Sequence, residues 1–573
     1  MSFLKDKIAG LFSSSDGDDD NGEEITPDGS GLESYHTTLP KDQLRVSPII
    51  RAFLAYERVL SLEDANINGS EPSDALRALL NKPHAEIPSE LLDLSHPLPE
   101  YYMSSSHNTY LLAHQLYGES NASGYELALR TGSRCVEIDA WDNDQNEDEP
   151  KVTHGYTLVS NVPFRLVCET IAREFDREAE FAAANPGTYH SPIFLSLENH
   201  CNPRGQLRLA EIMKEVFGPR LLSKAVRDEG TGEQAGTGEH VTMNELAACI
   251  AVIVEYHLPE EAEDSLSSSD EDDSSDDEVK EARKSYKNKK KAEAPQGIIP
   301  ELAELGVYAQ SVKPRDNSWF ESEALLDGPH HHLINVSESG LAAHMPDMNE
   351  KIARHNASHL MRVFPKGLRI SSSNLLPVRY WGVGAQICAL NWQNFGISMQ
   401  LNEALFHGSH GFVLKPAGLR KGGDGKVGSD RKKRLRLHVA GVTDIPLHED
   451  AEMDGIRPYL TCTLHQPTEP GSGQKQKTSP YKLKKPHFLY DGELSATSPL
   501  WNEILEWEYE DNELTFLRML VKSDESFSRN PKFAVAAVRL QYVTPGWSFV
   551  RLLDLKGRET ASTLLLKFDI DDA

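Results

Sequence analysis

RCVEIDAW, residues 134–141, sets Glu137 and Asp139 two positions apart in an otherwise apolar run. The run reads as a β-strand, and residues two apart on a strand leave the same face. Two carboxylates on one face of a buried strand repel each other and are costly to desolvate, and a cation is the usual remedy. SPIFLSLENH (191–200) and CIAVIVEYH (249–257) read as further strands, and NVPFRLVCETIAREFDREAEF (161–181) as a helix. Near-continuous apolar strands alternating with helices predict a parallel sheet covered on both faces.

Other strands end in groups of the same kind. YYMSSSHNTYLL (101–112) carries His107 and Asn108 before an apolar run resumes. FLSLENH supplies Glu198, and THGYTL supplies His154 just after the Glu137/Asp139 strand. Asn108, Glu137, Asp139 and Glu198 offer four oxygen ligands and no soft ones, a set that suits calcium or magnesium rather than zinc. Two histidines beside a hard cation suit phosphoryl chemistry. Each residue alone reads as an ordinary strand-end polar group. Together they fall at the C-terminal ends of strands, where α/β barrels keep their active sites.

The chain has 573 residues and a net charge of −29. Its length predicts two or three domains, and its charge argues against nucleic acid as a partner. Six cysteines include no CxxC pair, which gives no disulfide or zinc framework. No apolar run reaches the roughly 18–20 residues that span a bilayer. MSFLKDKIAGLF has no signal-peptide pattern, and Ser2 is not a myristoylation glycine, so the expected location is cytoplasmic, peripheral at membranes.

Residues 1–45 read as disordered with a possible membrane-surface helix, and 46–94 as a small helical region with no intact EF-hand calcium loop. Residues 259–299 read as a disordered linker: 259–278 hold eleven acids and no base, and 279–291 are strongly basic. Strand–helix alternation resumes over 300–420, so a single sheet domain interrupted by the linker is expected, with 95–258 as its first half. From 433 to 573 short strands follow without helices, predicting an antiparallel β-sandwich of about 140 residues. HHH at 330–332 follows Gly-Pro and reads as loop.

PLPEYYMSSSHNTYLLAHQL, GSRCVEIDAWD, HGYTLVS and IFLSLENHC resemble the X box of eukaryotic phosphoinositide-specific phospholipases C. RVFPKGLRISSSN, GAQICALNWQ and GFVLKPAGLR resemble the Y box. The resemblance implies a distorted TIM barrel in two halves, a variable linker and a C2-type sandwich, in a compact form without a PH domain. It implies calcium ligands at Asn108, Glu137, Asp139 and Glu198 and catalytic histidines at His107 and His154. It further implies that the inositol 2-hydroxyl attacks phosphorus with Glu137 as candidate base. His107 then steadies the phosphorus, and His154 protonates the departing diacylglycerol oxygen. Water opens the resulting cyclic phosphodiester to a soluble inositol phosphate.

The head-group shelf departs from the family pattern. A Lys-x-Lys pair is expected after the VIV strand, where Glu255 and His257 stand; a serine is replaced by Asn335, and an Arg-x-Tyr by Arg362 and Phe364. Phe364 retains a ring for stacking on inositol, and Arg362 is the remaining cation of the set. Weakened preference for the bisphosphate lipid is therefore expected, as is a restraining role for the acidic linker. In the sandwich, HEDAEMDGIRPY has Asp450 and Asp454 but carries Arg457 beside its Pro-Tyr, and VKSDES has Asp524, which weakens the case for calcium-dependent docking. The alternatives are another barrel phosphodiesterase and a catalytically inactive lipid-binding scaffold.

Overall fold

The structure, a computed structural model, describes residues 44–112, 120–154, 160–227, 240–256, 297–312, 319–321, 330–366, 369, 372–447, 456–468, 473–483, 490–524 and 531–573. Residues 1–43, nearly all of the linker, His257, Asp450 and Asp454 lie outside the described residues.

Eight parallel strands close on themselves. They are β1 (Tyr101–Ser106), β2 (Cys135–Trp141), β3 (Ile193–His200), β4 (Ile250–Tyr256), β5 (Gln310–Val312), β6 (His332–Ser337), β7 (Leu360–Phe364) and β8 (Ile387–Leu390). Each pairs in parallel with the next. β8 closes the ring on β1 through Met103↔Ile387 to Ser106↔Leu390. The barrel is thus a TIM-type barrel whose halves meet at two ladders, β4–β5 and β8–β1. β5 has three residues, which is why no strand reading is possible there from periodicity. Phe412–Leu414, in GFVLKP, is a strand but not a barrel stave: it pairs antiparallel with β1 outside the ring.

Helices α1 (Pro48–Tyr56) and α2 (Asp74–Asn81) lie in the amino-terminal region; α3 (Ser123–Arg130), α4 (Phe164–Ala184) and α5 (Pro203–Phe217) follow β1, β2 and β3. α5 starts with proline at its first position, and the Asn202 side chain accepts from the N–H groups of Arg204 and Gly205 at 2.9 and 3.1 Å. These are favourable choices at a helix start, where free N–H groups need partners. Asn202 in turn donates its backbone N–H to Asp142 at 2.9 Å, tying the loop after β3 to the loop after β2.

The C-terminal strands are β9 (Gly428–Thr443), β10 (Pro458–His465), β11 (Gln474–Lys477), β12 (Leu500–Asn512), β13 (Phe516–Ser523), β14 (Lys532–Arg539), β15 (Gly546–Leu553) and β16 (Glu559–Asp572). All pairings are antiparallel, in the order β11-β10-β13-β14-β15-β16-β9-β12. Only Val535↔Leu553 joins β14 to β15. The sheet therefore divides there into two halves that share one apolar core, including Leu437, Leu460, Met519 and Leu564. This is the predicted sandwich. Arg457 pairs with Asp524 at 3.1 Å.

α7 (Ile397–Phe406), after α6 (Asn349–Asn356), packs the barrel onto β13 and β14. Phe516, Leu520 and Val535 join the barrel core there, and Arg518 Nε donates to Gln400 Oε1 at 2.7 Å. The amino-terminal lobe instead sits on the sandwich: Ile50 and Phe53 share a cluster with Ala440, Phe549 and Leu565. Within that lobe Arg51 donates Nη1 to the carbonyls of Asn66 and Gly69 at 3.1 and 2.9 Å, and Nε to Val46 at 3.0 Å. The Arg51 guanidinium thus ties the segment between α1 and α2 to the chain just before α1.

At the end of the barrel opposite the active-site mouth, His330 and His331 lie in a turn, as the loop reading of HHH expects, and His332 alone departs from it. His332 opens β6 and is buried. Its Nε2 lies 3.0 Å from Nε2 of His355, and its ring stacks on His359 with centres 3.9 Å apart. His331 lies 4.4 Å from His240 and 4.6 Å from His330. The His-Leu-Ile run pairs with both neighbouring strands, and that pairing outweighs the local Gly-Pro turn signal.

Candidate active site

The parallel register brings the predicted carboxylates together. Glu137 pairs with Ser196 and Asp139 with Glu198 across the β2–β3 ladder. Ligand oxygens of Glu137, Asp139 and Glu198 lie within 4.8 Å of one another. Glu137 and Asp139 are buried and Glu198 is half-buried.

Asn108 takes a left-handed backbone, φ 44°, which asparagine tolerates better than most residues. That turn aims its N–H at Glu137 Oε2, 2.7 Å away. Glu137 Oε1 accepts from Arg362 Nη2, and Arg362 Nη1 donates to Asn335 Oδ1 at 3.1 Å. The Arg362 side chain is 1% exposed. Its guanidinium lies 5.8 Å from the Phe364 ring centre. The sequence reading places Arg362 on the head group; the geometry directs it to Glu137 and Asn335.

The three carboxylates are electrostatically unequal. Burial raises the Glu137 carboxyl, but the Arg362 guanidinium, His107 and the Asn108 N–H outweigh it and hold Glu137 down to about 2. Burial, with the charge of Glu137, pushes Asp139 well above the usual carboxylate range. Burial and the Asp139 charge do the same to Glu198. The Tyr110 hydroxyl lies 2.6 Å from Asp139 Oδ2 and 3.1 Å from Asn108 Oδ1. Asp139 Oδ1 is buried with no hydrogen-bond partner. An orphaned buried oxygen among hard oxygen donors fits a divalent cation such as calcium.

His107 follows β1. Its Nδ1 lies 2.8 Å from Asn391 Oδ1 and its Nε2 3.9 Å from Glu137 Oε2. Burial lowers its pKa, and Arg362 acts in the same direction against Glu137. His154 is half-buried, and the N–H of its neighbour Thr153 donates to the Asp139 carbonyl at 3.3 Å. Glu255 is half-buried near the end of β4, and its charge adds to the cost of ionising Asp139 and Glu198.

Three supports are not found by sequence reading. Tyr110 braces Asp139, and Thr109 Oγ1 accepts the Glu137 N–H at 3.0 Å. Asn391, after β8, holds His107. A lone polar residue after CAL was the only available signal for it, and that signal does not say what it faces.

Residues 94–254 match the model of the phosphatidylinositol-specific phospholipase C X domain, and residues 302–418 that of the Y domain. Both halves of the barrel thus match domains of the phosphatidylinositol-specific phospholipase C family. It is 28% identical to 1-phosphatidylinositol 4,5-bisphosphate phosphodiesterase 1 of Candida albicans, over 89% of this chain and 51% of that protein. It is 29% identical to the delta-1 phosphodiesterase of Rattus norvegicus, over 84% of this chain and 61% of that protein. The chain thus spans little more than half the length of these curated relatives. The fold is also that of the crystal structure of S. officinalis PLC21, with TM-score 0.67 and 23% identity over 99% of this chain and 68% of that one. In this chain, the carboxylates and His107 come from the X match, and Arg362 and Asn391 from the Y match.

Proposed function

We propose that the chain hydrolyses phosphoinositides at a membrane surface to diacylglycerol and a soluble inositol phosphate, through a cyclic phosphodiester. The observation that carries this reading is the convergence of His107 with Glu137, Asp139 and Glu198 at one mouth of a barrel built from X and Y matches. Asn108, Glu137, Asp139 and Glu198 would hold calcium. A bound calcium ion supplies positive charge that offsets phosphate and acidifies a nearby hydroxyl. Glu137 takes the proton of the inositol 2-hydroxyl as that oxygen bonds to phosphorus. His107 steadies the phosphoryl oxygens, and His154 gives a proton to the diacylglycerol oxygen as its bond to phosphorus breaks. Water then adds to the cyclic diester, and one ring oxygen leaves as the hydroxyl. A carboxylate held near 2 is a weak base, so an anionic head group that draws Arg362 off Glu137 makes it a stronger one. Release of soluble inositol phosphate from labelled lipid tests this, with and without a calcium chelator. Activity abolished by chelator and by His107→Ala supports it; activity retained in either case sinks it.

The same reading includes a relaxed head-group preference. Glu255 stands where a cation is expected, and Arg362 faces Glu137 and Asn335. Charged hydrogen bonds contribute roughly 1.5–3 kcal/mol each, or about 10–100-fold in affinity. Phosphatidylinositol or its monophosphate is therefore hydrolysed well relative to the bisphosphate. A strong bisphosphate preference in matched vesicles that survives Glu255→Ala would overturn this. No helix among the described residues is long and apolar enough to cross a membrane, so lipid is met from the surface in this reading.

A further inference from the structure

His107 and Asn391 come from opposite halves of the barrel, 284 residues apart. The contact is built on both sides. The His107 backbone N–H donates to the Leu390 carbonyl at 2.7 Å, which seats the turn against β8. Asn391 is 1% exposed, and its own backbone is clamped by Asn374. Its N–H donates to Asn374 Oδ1 at 2.6 Å, and Asn374 Nδ2 donates to its carbonyl at 3.0 Å. The Asn391 amide Nδ2 donates to the Ser373 carbonyl at 3.2 Å. Reversing that amide would set two carbonyl oxygens against each other at Ser373, so the network itself orients it.

With Nδ2 on a carbonyl, the atom facing His107 is Oδ1, which can only accept. The imidazole must then carry a hydrogen on Nδ1. In the neutral ring this leaves the lone pair on Nε2, the nitrogen 3.9 Å from Glu137. In the charged ring Nε2 bears a hydrogen, and Asn391 still accepts from Nδ1. The contact excludes only the tautomer that turns a bare Nδ1 toward the protein and fixes the hydrogen on Nε2 in the neutral ring.

We propose that Asn391 is a positioning residue: it sets the tautomer and ring orientation of His107 from the Y half, with Asn374 holding Asn391 in place. The proposal deepens the hydrolytic reading and rests on it for its kinetic consequences alone. Through this contact the Y half serves the X half beyond completing the barrel wall.

The test uses the full chain labelled with ring-15N histidine, with His107 signals assigned by their loss in His107→Gln. Long-range 15N–1H spectra at neutral pH should show the Nδ1–H tautomer in wild type and in Asn391→Asp, which keeps an acceptor. Asn391→Leu should lose that pattern. In matched assays Asn391→Leu should lower kcat by about 10²-fold or more, a typical worth for a placed acid–base group, with KM changed less than about threefold. Asn391→Asp should recover most of that loss. Asn374→Ala leaves the His107 contact atoms in place and should give a smaller fall in kcat with a mixed tautomer signal. A His107 tautomer unchanged in Asn391→Leu overturns the proposal, as does an aspartate variant no better than leucine. Were wild type inactive on every phosphoinositide, the hydrolytic reading would fail while the spectra still judged the positioning role.

Discussion

Arg362 and Glu137 form a buried ion pair across the barrel, with side chains 1% and 2% exposed and the guanidinium Nη2 donating to Oε1. Glu137 is the one member of the carboxylate group with a full counter-charge, and that charge arrives from β7 in the Y half. Removing one partner of such a pair leaves an uncompensated buried charge.

Arg362→Met should therefore destabilise the cation-free protein by about 3–5 kcal/mol. The loss should be smaller in saturating calcium, which supplies replacement charge. Urea unfolding in chelator and in calcium measures both. Equal losses in the two conditions would show that Arg362 acts by packing alone.

Asp139→Asn should stabilise the cation-free protein at neutral pH. The Asp139 carboxyl is raised in the fold by burial and by Glu137. Its favoured form is the protonated one, so its contribution is lost as pH climbs above the ordinary carboxylate range toward the folded value. The stability gap between variant and wild type should widen from pH 5 to pH 7 in chelator. Calcium at 100 times its Kd should add about 2.7 kcal/mol to wild type and much less to Asp139→Asn. A calcium-induced Tm shift of equal size in both would remove Asp139 from the ligand set.

The histidine cluster should make the barrel acid-sensitive. Burial, then His330 and Arg227, lower His331 to about 4; burial and His332, among others, lower His359 to about 3. Burial, then His359, lowers His355 to about 3. These rings stay neutral in the fold but take protons in the unfolded chain near 6.5. Stability is full above that pH and falls as pH drops from 6.5 toward 4, by up to about 1.4 kcal/mol per pH unit for each ring. In saturating calcium, which keeps the carboxylates ionised, the urea midpoint should drop between pH 7 and pH 5. His359→Leu should flatten that slope, and a flat wild-type profile would contradict the prediction.

Arg51→Met should loosen the amino-terminal lobe. It strips hydrogen-bond partners from the carbonyls of Val46, Asn66 and Gly69. The cost is about 1–3 kcal/mol per carbonyl left buried and unmet. Limited proteolysis within residues 57–73 should speed up, and calcium should not reverse it. Rescue by calcium would mean that the loop can bind the ion after all.

What could be read from the sequence depended on how far a residue's partners lie along the chain. Glu137 and Asp139 are legible because strand periodicity alone puts them on one face, and Glu198 because its strand has the same texture. Their pairing with Arg362 is not, since nothing local says that a cation on β7 points inward at Glu137 rather than outward at a ligand. Asn391 is invisible for the same reason. β5 is too short for periodicity to reveal, and His332 was hidden by a Gly-Pro turn signal that ladder pairing overrides. The β-sandwich was plain because strand after strand repeats with no helix between.

The amino-terminal lobe has a consequence for biosynthesis. Its apolar face, Ile50 and Phe53, is covered by Ala440, Phe549 and Leu565, and Ser47 donates its N–H to Thr443 Oγ1 at 3.1 Å. Those partners are made some 390 to 515 residues later. On the ribosome the barrel can therefore close while the lobe is still uncovered, and α1, the first helix among the described residues, is among the last to dock. Substitutions such as Phe53→Ala should thus lower the yield of newly made soluble chain more than they lower the hydrolysis rate of the molecules that finish.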